Sequence, residues 1–315
     1  MANTVSDYTG FDFDSLWRGR EKVTQVEISV LHRYLRPATN ARVLEIGAGS
    51  GRLTPTLASR TGELVLSDFA RDLLTKIGRS DPVALSDRAP RVAANLYHLP
   101  FRSGAFTGAT LIRVFHHLDD PVAALTEVRR VLTGSGTLLL SYNPRPSFGT
   151  LANDLRSALG RSASAKFRSV TFARRGTVAL SPDPFPIYVG SRATLRANVL
   201  AAGFSLDREM VSGLEEIPIV RHLPKRLFES AAEVFGNAPG FPTRWAILRN
   251  PESGLGPLPS LRQILACPVC RGPLDWPCAS GPIRCPNCGY AGEVGEGVID
   301  LRYVEDRARR FSLSG

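Results

Sequence analysis

Lysine is nearly missing from this chain. It stands only at positions 22, 76, 166 and 225, against a combined Lys and Arg total of 39. The net charge of +10 is therefore carried by arginine. Such a bias, beside abundant Ala and Gly, can reflect codon usage, so it raises the odds of an anionic partner without naming one. No apolar run approaches 18 residues, which excludes a membrane-spanning helix of the usual length. Met1 to Asp14 is acidic and aromatic, with no apolar stretch behind a basic start, so no export signal is read there. Cysteine is absent before position 267, which rules out a disulfide framework over most of the chain. A hydrophobic fraction of 43% and a charged fraction of 22% suffice for a sizeable core without such bonds. These absences predict a cytoplasmic protein, and 315 residues allow one large domain plus a smaller module.

From Arg42 onward, short runs rich in Leu and β-branched residues alternate with helical patterns. The expected strands are Arg42–Ile46, Glu63–Ser67, Arg91–Ala94, Thr110–Val114 and Thr137–Tyr142. The clearest helix is Pro121–Leu132, where Val122, Leu125, Val128, Val131 and Leu132 recur at helical spacing. Asp119 or Asp120 would cap it, Pro121 suits its first position, and Gly134 would stop it. Strands alternating with helices predict a doubly wound, mostly parallel α/β sheet.

That rhythm breaks at 143–190, where prolines bracket a Ser/Arg-rich insertion. Arg145, Arg156, Arg161, Lys166, Arg168, Arg174 and Arg175 face only Asp154 and Asp183, and this net +5 is half the charge of the chain. A helix at Ser191–Ala202 follows, then strands at Phe204–Val211 and Trp245–Arg249. The expected division is a catalytic domain at 1–250, with an N-terminal lid at 1–36, then a linker at 251–260. A cysteine module at 261–303 and a tail at 304–315 complete it.

Val43-Leu44-Glu45-Ile46-Gly47-Ala48-Gly49-Ser50-Gly51 reads as a buried strand running into a glycine turn. A sharp turn and a close backbone approach to a ligand both exclude Cβ atoms. The G-x-G-x-G spacing differs from the dinucleotide G-x-G-x-x-G, which argues against a nicotinamide enzyme. Asp68 ends the second expected strand, 21 residues after Gly47. Its carboxylate offers two acceptor oxygens, which suits a vicinal diol.

VLEIGAGSG, LSDFA, ANLYHLPF, TLIRVFHHLDDP and VRRVLTGSGTLLLSYNP, in that order, resemble the successive motifs of class I S-adenosylmethionine-dependent methyltransferases, closest to the quinone-biosynthesis-like group. The resemblance covers residues 40–145 well and 190–250 loosely. It implies a Rossmann-like fold in which Gly47, Gly49 and Gly51 cradle the methionine and ribose portions of the cofactor. It also implies that Glu45 helps to orient the amino group, Asp68 binds the ribose and Phe69 packs on the adenine. Asn95 stands where the family has Asp facing the adenine amino group, and Leu96 would add backbone contacts to the ring.

Methyl transfer is an in-line displacement that depends on positioning and on excluding water, with a base only where the nucleophile carries a proton. In such sheets ligands bind at the carboxyl ends of the strands. Arg113, Val114, Phe115, His116 and His117, expected to end the fourth strand, would therefore lie beside the reacting methyl group. Arg113 joins the candidate cofactor residues, and His116 or His117 is the candidate general base. Tyr8, Phe11, Phe13, Trp17, Arg18 and Arg20, ahead of an amphipathic stretch, are expected to lid the site.

Cys267-Pro-Val-Cys270 and Cys285-Pro-Asn-Cys288, fourteen residues apart, form two knuckles. Four thiolates on two tight turns suit a closed, tetrahedral structural zinc site, which leaves Cys278 as a free thiol. The surrounding LRQILACPVCRGPL, IRCPNCGY and GVIDL resemble the zinc-ribbon subunit that activates several methyltransferases as a separate partner, here tethered in cis. The expected activity is methyl transfer to a small molecule, a specialised metabolite or modified peptide, with the insertion as substrate cover. The alternatives are an RNA methyltransferase that grips phosphates through the insertion and ribbon, and a non-enzymatic cofactor-binding scaffold.

Overall fold

The computed structural model describes residues 5–35, 38–77, 89–144, 169–172, 178–181, 187–212, 241, 243–252, 260–275 and 280–303. Its strands, in chain order, are β1 (Ala38–Ile46), β2 (Thr61–Asp68), β3 (Arg91–Ala93), β4 (Phe106–Leu111), β5 (Leu132–Tyr142), β6 (Ser169–Phe172), β7 (Val178–Ser181), β8 (Ile187–Val189), β9 (Ser205–Ser212), β10 (Thr243–Arg249), β11 (Gly281–Arg284), β12 (Ala291–Gly295) and β13 (Val298–Asp300). The helices are α1 (Phe13–Trp17), α2 (Glu21–Tyr34), α3 (Thr54–Ala58), α4 (Arg71–Leu74), α5 (Pro121–Val131), α6 (Arg192–Ala201) and α7 (Leu261–Ile264), with a 3-10 turn at Phe115–His117. Among the described residues no helix is long and apolar enough to cross a membrane.

Among the described residues ten strands form one sheet in the order β11-β12-β13-β3-β2-β1-β4-β5-β10-β9, while β6-β7-β8 make a separate antiparallel sheet. The run β13-β3-β2-β1-β4-β5 is parallel, and antiparallel strands close both ends. Central strands of such a sheet are buried on both faces and so read as continuous apolar runs. In β1, Leu44 packs into one core while Val43 packs into the other, across the sheet.

The expected α/β sheet is present, and several local details differ from expectation: the fourth strand begins at Phe106 rather than Thr110, and the fifth at Leu132 rather than Thr137. The fourth strand ends at Leu111 rather than Val114, because Arg113 takes a left-handed φ of 61° that no strand accommodates. Phe115, His116 and His117 therefore lie on the 3-10 turn beyond the strand. Gly134 does not stop α5: the backbone turns extended at Leu132, and Gly134 lies inside β5. Asp120 caps α5, its Oδ1 accepting from the Ala123 amide at 3.1 Å, with Pro121 following as expected.

The cysteine module does not hang on a tether. Its last strand, β13, pairs in parallel with β3, matching Val298, Ile299 and Asp300 to Arg91, Val92 and Ala93. The Arg102 amide donates to the Ile264 carbonyl at 2.7 Å and the Ala266 amide to the Pro100 carbonyl at 2.9 Å. Arg271 reaches both the Leu99 carbonyl and Glu127, each at 2.7 Å. Ile264, Leu265, Ile283, Ile299 and Leu301 are buried in the same core as Leu44, Phe101 and Phe106. A short module that cannot bury enough surface alone thus borrows the core of its neighbour. It also covers the edge of β3, which would otherwise offer unpaired backbone groups.

Candidate cofactor and metal sites

The glycine turn leaves the end of β1 with φ of 74° at Gly47 and 56° at Gly49. A Cβ on Gly47 would overlap the side chain of Val114, so only glycine lets the two loops close. A Cβ on Gly49 would meet nothing within 4 Å and would project into open space beside the turn. The Gly49 amide donates to Asp68 Oδ2 at 2.8 Å, and the Ala70 amide donates to Asp68 Oδ1 at 2.9 Å. The end of β2 is thereby bolted to the turn after β1.

Glu45 is buried and Asp68 half-buried. Burial pushes Asp68 up to about 6, although the backbone amides of Ala70, Gly49 and Phe69 pull it down. Burial pushes Glu45 up to about 7, against a hydrogen bond from the Thr54 hydroxyl at 2.7 Å and the nearby Arg52 cation. Glu45 in the folded chain thus holds its proton to higher pH than in the unfolded chain. Its contribution to stability is present below about pH 4.5 and is lost as pH rises through about 7. Glu45→Gln should therefore make the ligand-free protein more stable than wild type at pH 8, by about 2 kcal/mol, and bring little gain at pH 4. Urea denaturation at the two pH values checks this; equal midpoints at pH 8 would refute it.

A clamp joins the N-terminal segment to this site. Glu27 of α2, only 1% exposed, pairs with Arg52 and Arg113 at 2.6 Å each. Arg52 also lies 3.6 Å from the centre of the Trp17 ring, and Arg113 lies 5.4 Å from it. Arg113 is thus engaged by α1 and α2, and its amide donates to Ser141 Oγ at 2.8 Å. Glu27 went unnoticed in the sequence, though a carboxylate four residues from both Val23 and Leu31, on an otherwise apolar face, was the available signal.

Farther out, the Tyr8 hydroxyl lies 2.8 Å from His117 Nε2, in a cluster with Phe11 and Phe13. The His116 ring lies 4.1 Å from that of His117, and His116 Nδ1 is buried without a hydrogen-bond partner. Burial, with the His117 and Arg113 charges, holds His116 well below the usual histidine range. A pocket opens beside this turn, lined by Phe115, Leu118, Tyr142, Tyr188, Leu195 and Asn198. The Tyr142 hydroxyl donates to Glu209 at 2.9 Å, and Arg192 and Arg196 also bind Glu209.

Asn95 is 4% exposed and fully engaged: its Oδ1 accepts from the Tyr97 amide at 3.0 Å, and its Nδ2 donates to the Tyr303 carbonyl at 2.8 Å. Leu96 follows in the turn between Asn95 and His98. Phe69 is buried, its carbonyl and ring both close to Arg302. Neither Arg302 nor Tyr303 figured among the residues expected from sequence.

The four cysteine sulfurs converge. Cys267, Cys270, Cys285 and Cys288 place their Sγ atoms within 4.8 Å of one another, with 3.6 Å between Cys267 and Cys288 and 3.4 Å between Cys270 and Cys285. Four sulfurs about 2.3 Å from a central zinc ion would stand roughly 3.8 Å apart, so this donor set fits a tetrahedral metal. Cys278 lies outside the described residues.

Residues 44–140 match the family model "Methyltransferase domain", and residues 259–291 match "Trm112p-like protein". A demethylmenaquinone methyltransferase of Thermus thermophilus is 29% identical over 54% of this chain and 77% of its own length. A malonyl-[acyl-carrier protein] O-methyltransferase of Geobacter sulfurreducens is 26% identical over 75% of this chain and 92% of its own. In fold, the chain is similar to the complex of the Haloferax volcanii Trm112 methyltransferase activator with a putative methyltransferase. That likeness has a TM-score of 0.52 at 17% identity and covers 79% of this chain and 100% of the other. Residues 44–140 are therefore a methyltransferase domain of the S-adenosylmethionine-dependent kind, joined in one polypeptide to a Trm112p-like module.

Proposed function

We propose that this protein transfers the methyl group of S-adenosylmethionine to a small molecule, a specialised metabolite or a modified peptide, seated in the pocket beside the 3-10 turn. The observation that carries the acceptor class is that pocket, a small cleft in which Phe115, Leu118, Tyr142, Tyr188 and Leu195 stand beside the polar Asn143, Ser191, Thr194 and Asn198, with no cationic side chain among the described residues of its lining to hold a phosphate. When bound, the cofactor supplies an electrophilic methyl group on a sulfonium. Gly47, Gly49 and Gly51 would cradle it, Glu45 would face its amino group, Asp68 would accept from the ribose hydroxyls, and Phe69, Asn95 and Leu96 would surround the adenine. Arg113 would act through the lid, whose α1 and α2 would exclude water from the site. His117, rather than His116, is the proposed base where the acceptor carries a proton, since the burial of His116 leaves it a weak one. A zinc ion on Cys267, Cys270, Cys285 and Cys288 would be structural, because four thiolates leave no open position.

The Arg-rich segment favours an RNA acceptor as the second reading, although Arg145 to Arg175 lie almost entirely outside the described residues. Against it, several described arginines are held in internal pairs, with Glu27, Glu127 and Glu209 each binding two. A methyl-labelled donor offered with demethylated quinols, acyl-carrier thioesters, short peptides and bulk RNA separates the two. Label should pass to a small acceptor, and RNA binding at 150 mM salt should be weak and indifferent to charge reversal at Arg174 and Arg175. Tight, sequence-selective RNA binding that this double variant abolishes would overturn the small-molecule assignment.

A further inference from the structure

The ribbon does more than cover an edge: its exit segment crosses the carboxyl ends of β2 and β3, where ligands of such sheets bind. The Leu301 amide donates to the Ala93 carbonyl at 2.9 Å, which carries the β13 ladder one step past the strand. Asp300 then grips Arg302 through both carboxylate oxygens, Nε to Oδ1 at 2.9 Å and the second nitrogen to Oδ2 at 2.6 Å. Held this way, the guanidinium lies 5.7 Å from the centre of the Phe69 ring and donates to the Phe69 carbonyl at 3.4 Å. One residue later the Tyr303 carbonyl takes the Asn95 amide, and the Tyr303 ring packs edge-on against His98 at 4.9 Å. The Tyr290 hydroxyl pins the Arg302 carbonyl at 3.1 Å. On the same side Arg71 of α4 donates to the Gly295 carbonyl at 3.1 Å, and the amide of Gly10 in the lid donates to Asp72 at 2.9 Å.

We propose that Arg302 and the Tyr303 carbonyl are positioning groups for the adenine end of the cofactor site, so that the fused ribbon sets nucleoside affinity from within the same chain. The inference rests on the cofactor reading above. It accounts for the Asn at position 95. An aspartate there would turn a carboxylate oxygen on the Tyr303 carbonyl, acceptor against acceptor, whereas asparagine supplies the missing donor and keeps an oxygen for the Tyr97 amide. Phe69 is fixed by the same strand, from a cation seated by Asp300.

Calorimetry with S-adenosylhomocysteine and with adenosine tests the assignment in wild type, Arg302→Ala and Arg302→Lys. Arg302→Ala should weaken both ligands by about the same factor, roughly ten-fold, because both share the nucleoside end. Arg302→Lys keeps the cation without the planar fork and should fall between Ala and wild type. Hydrogen exchange at the Leu301 amide reports whether β13 stays docked, and the effect should persist in whichever variant retains that protection. Affinities within two-fold of wild type in a docked variant would overturn the proposal, as would a loss for S-adenosylhomocysteine that adenosine does not share. Failure of the wild type to bind either ligand would instead sink the cofactor reading, and this inference with it.

Discussion

Replacing Cys270 with serine should strip the metal from the ribbon and loosen β13 from the sheet. Cys270 is exposed, so the substitution removes little packing and reports chiefly on the metal. The ribbon's own apolar residues are few and mostly turned into the shared core, leaving the knuckles to be held by the four sulfurs. Structural zinc supplies on the order of 10 kcal/mol to small modules of this kind, far more than the knuckles can recover from burial. Elemental analysis should give one zinc per chain in wild type and in Cys278→Ser, and far less in Cys270→Ser. Because β13 pairs with β3, the damage should spread: exchange protection at the Leu301 amide should fall, and the bared edge should promote aggregation. A chelator should reproduce each effect on the wild type. Unchanged metal content in Cys270→Ser would remove this cysteine from the ligand set.

The presence of the central strands was legible because they are short apolar runs, β1 ended by Gly47 and β2 by Asp68, and such runs must lie between two layers. The Asp120 cap and Pro121 were legible for the same local reason. Contacts made over long stretches of sequence were not. That Glu27 would bind Arg52 and Arg113 depends on α2 lying across the glycine turn, which no local periodicity encodes. The end of β4 was misplaced because Ile112 and Val114 continue the apolar run, while the left-handed Arg113 between them is imposed by the loop that packs on Gly47. The ribbon was identified by its knuckles, yet the pairing of β13 with β3 was invisible in both sequences: Val298-Ile299-Asp300 and Arg91-Val92-Ala93 are three-residue strands without a register signal. For that reason the bond from Asn95 to the Tyr303 carbonyl could not be foreseen.

Asp68→Ala should weaken S-adenosylhomocysteine by about 2–4 kcal/mol, or roughly 30- to 1,000-fold. One part of the loss would be direct, since in the proposed cofactor site a charged acceptor for the ribose diol would disappear. A second part is built into the turn. The amides of Gly49 and Ala70 both donate to this carboxylate, and without it they are left without that acceptor in a part-buried setting. The glycine turn should therefore loosen even before ligand arrives. Protonation imitates the substitution in part: with Asp68 pushed up to about 6 by burial, the wild type should bind less tightly as pH falls from 7 to 5. Asp68→Ala should lack the share of that dependence due to this group, leaving the part that Glu45, pushed to about 7, contributes. Calorimetric titrations of wild type and variant at pH 5, 6, 7 and 8, with folding checked by thermal melts, measure both effects. A correctly folded variant that binds as tightly as wild type at pH 7 would show that Asp68 only braces the turn, and the ribose would need another acceptor.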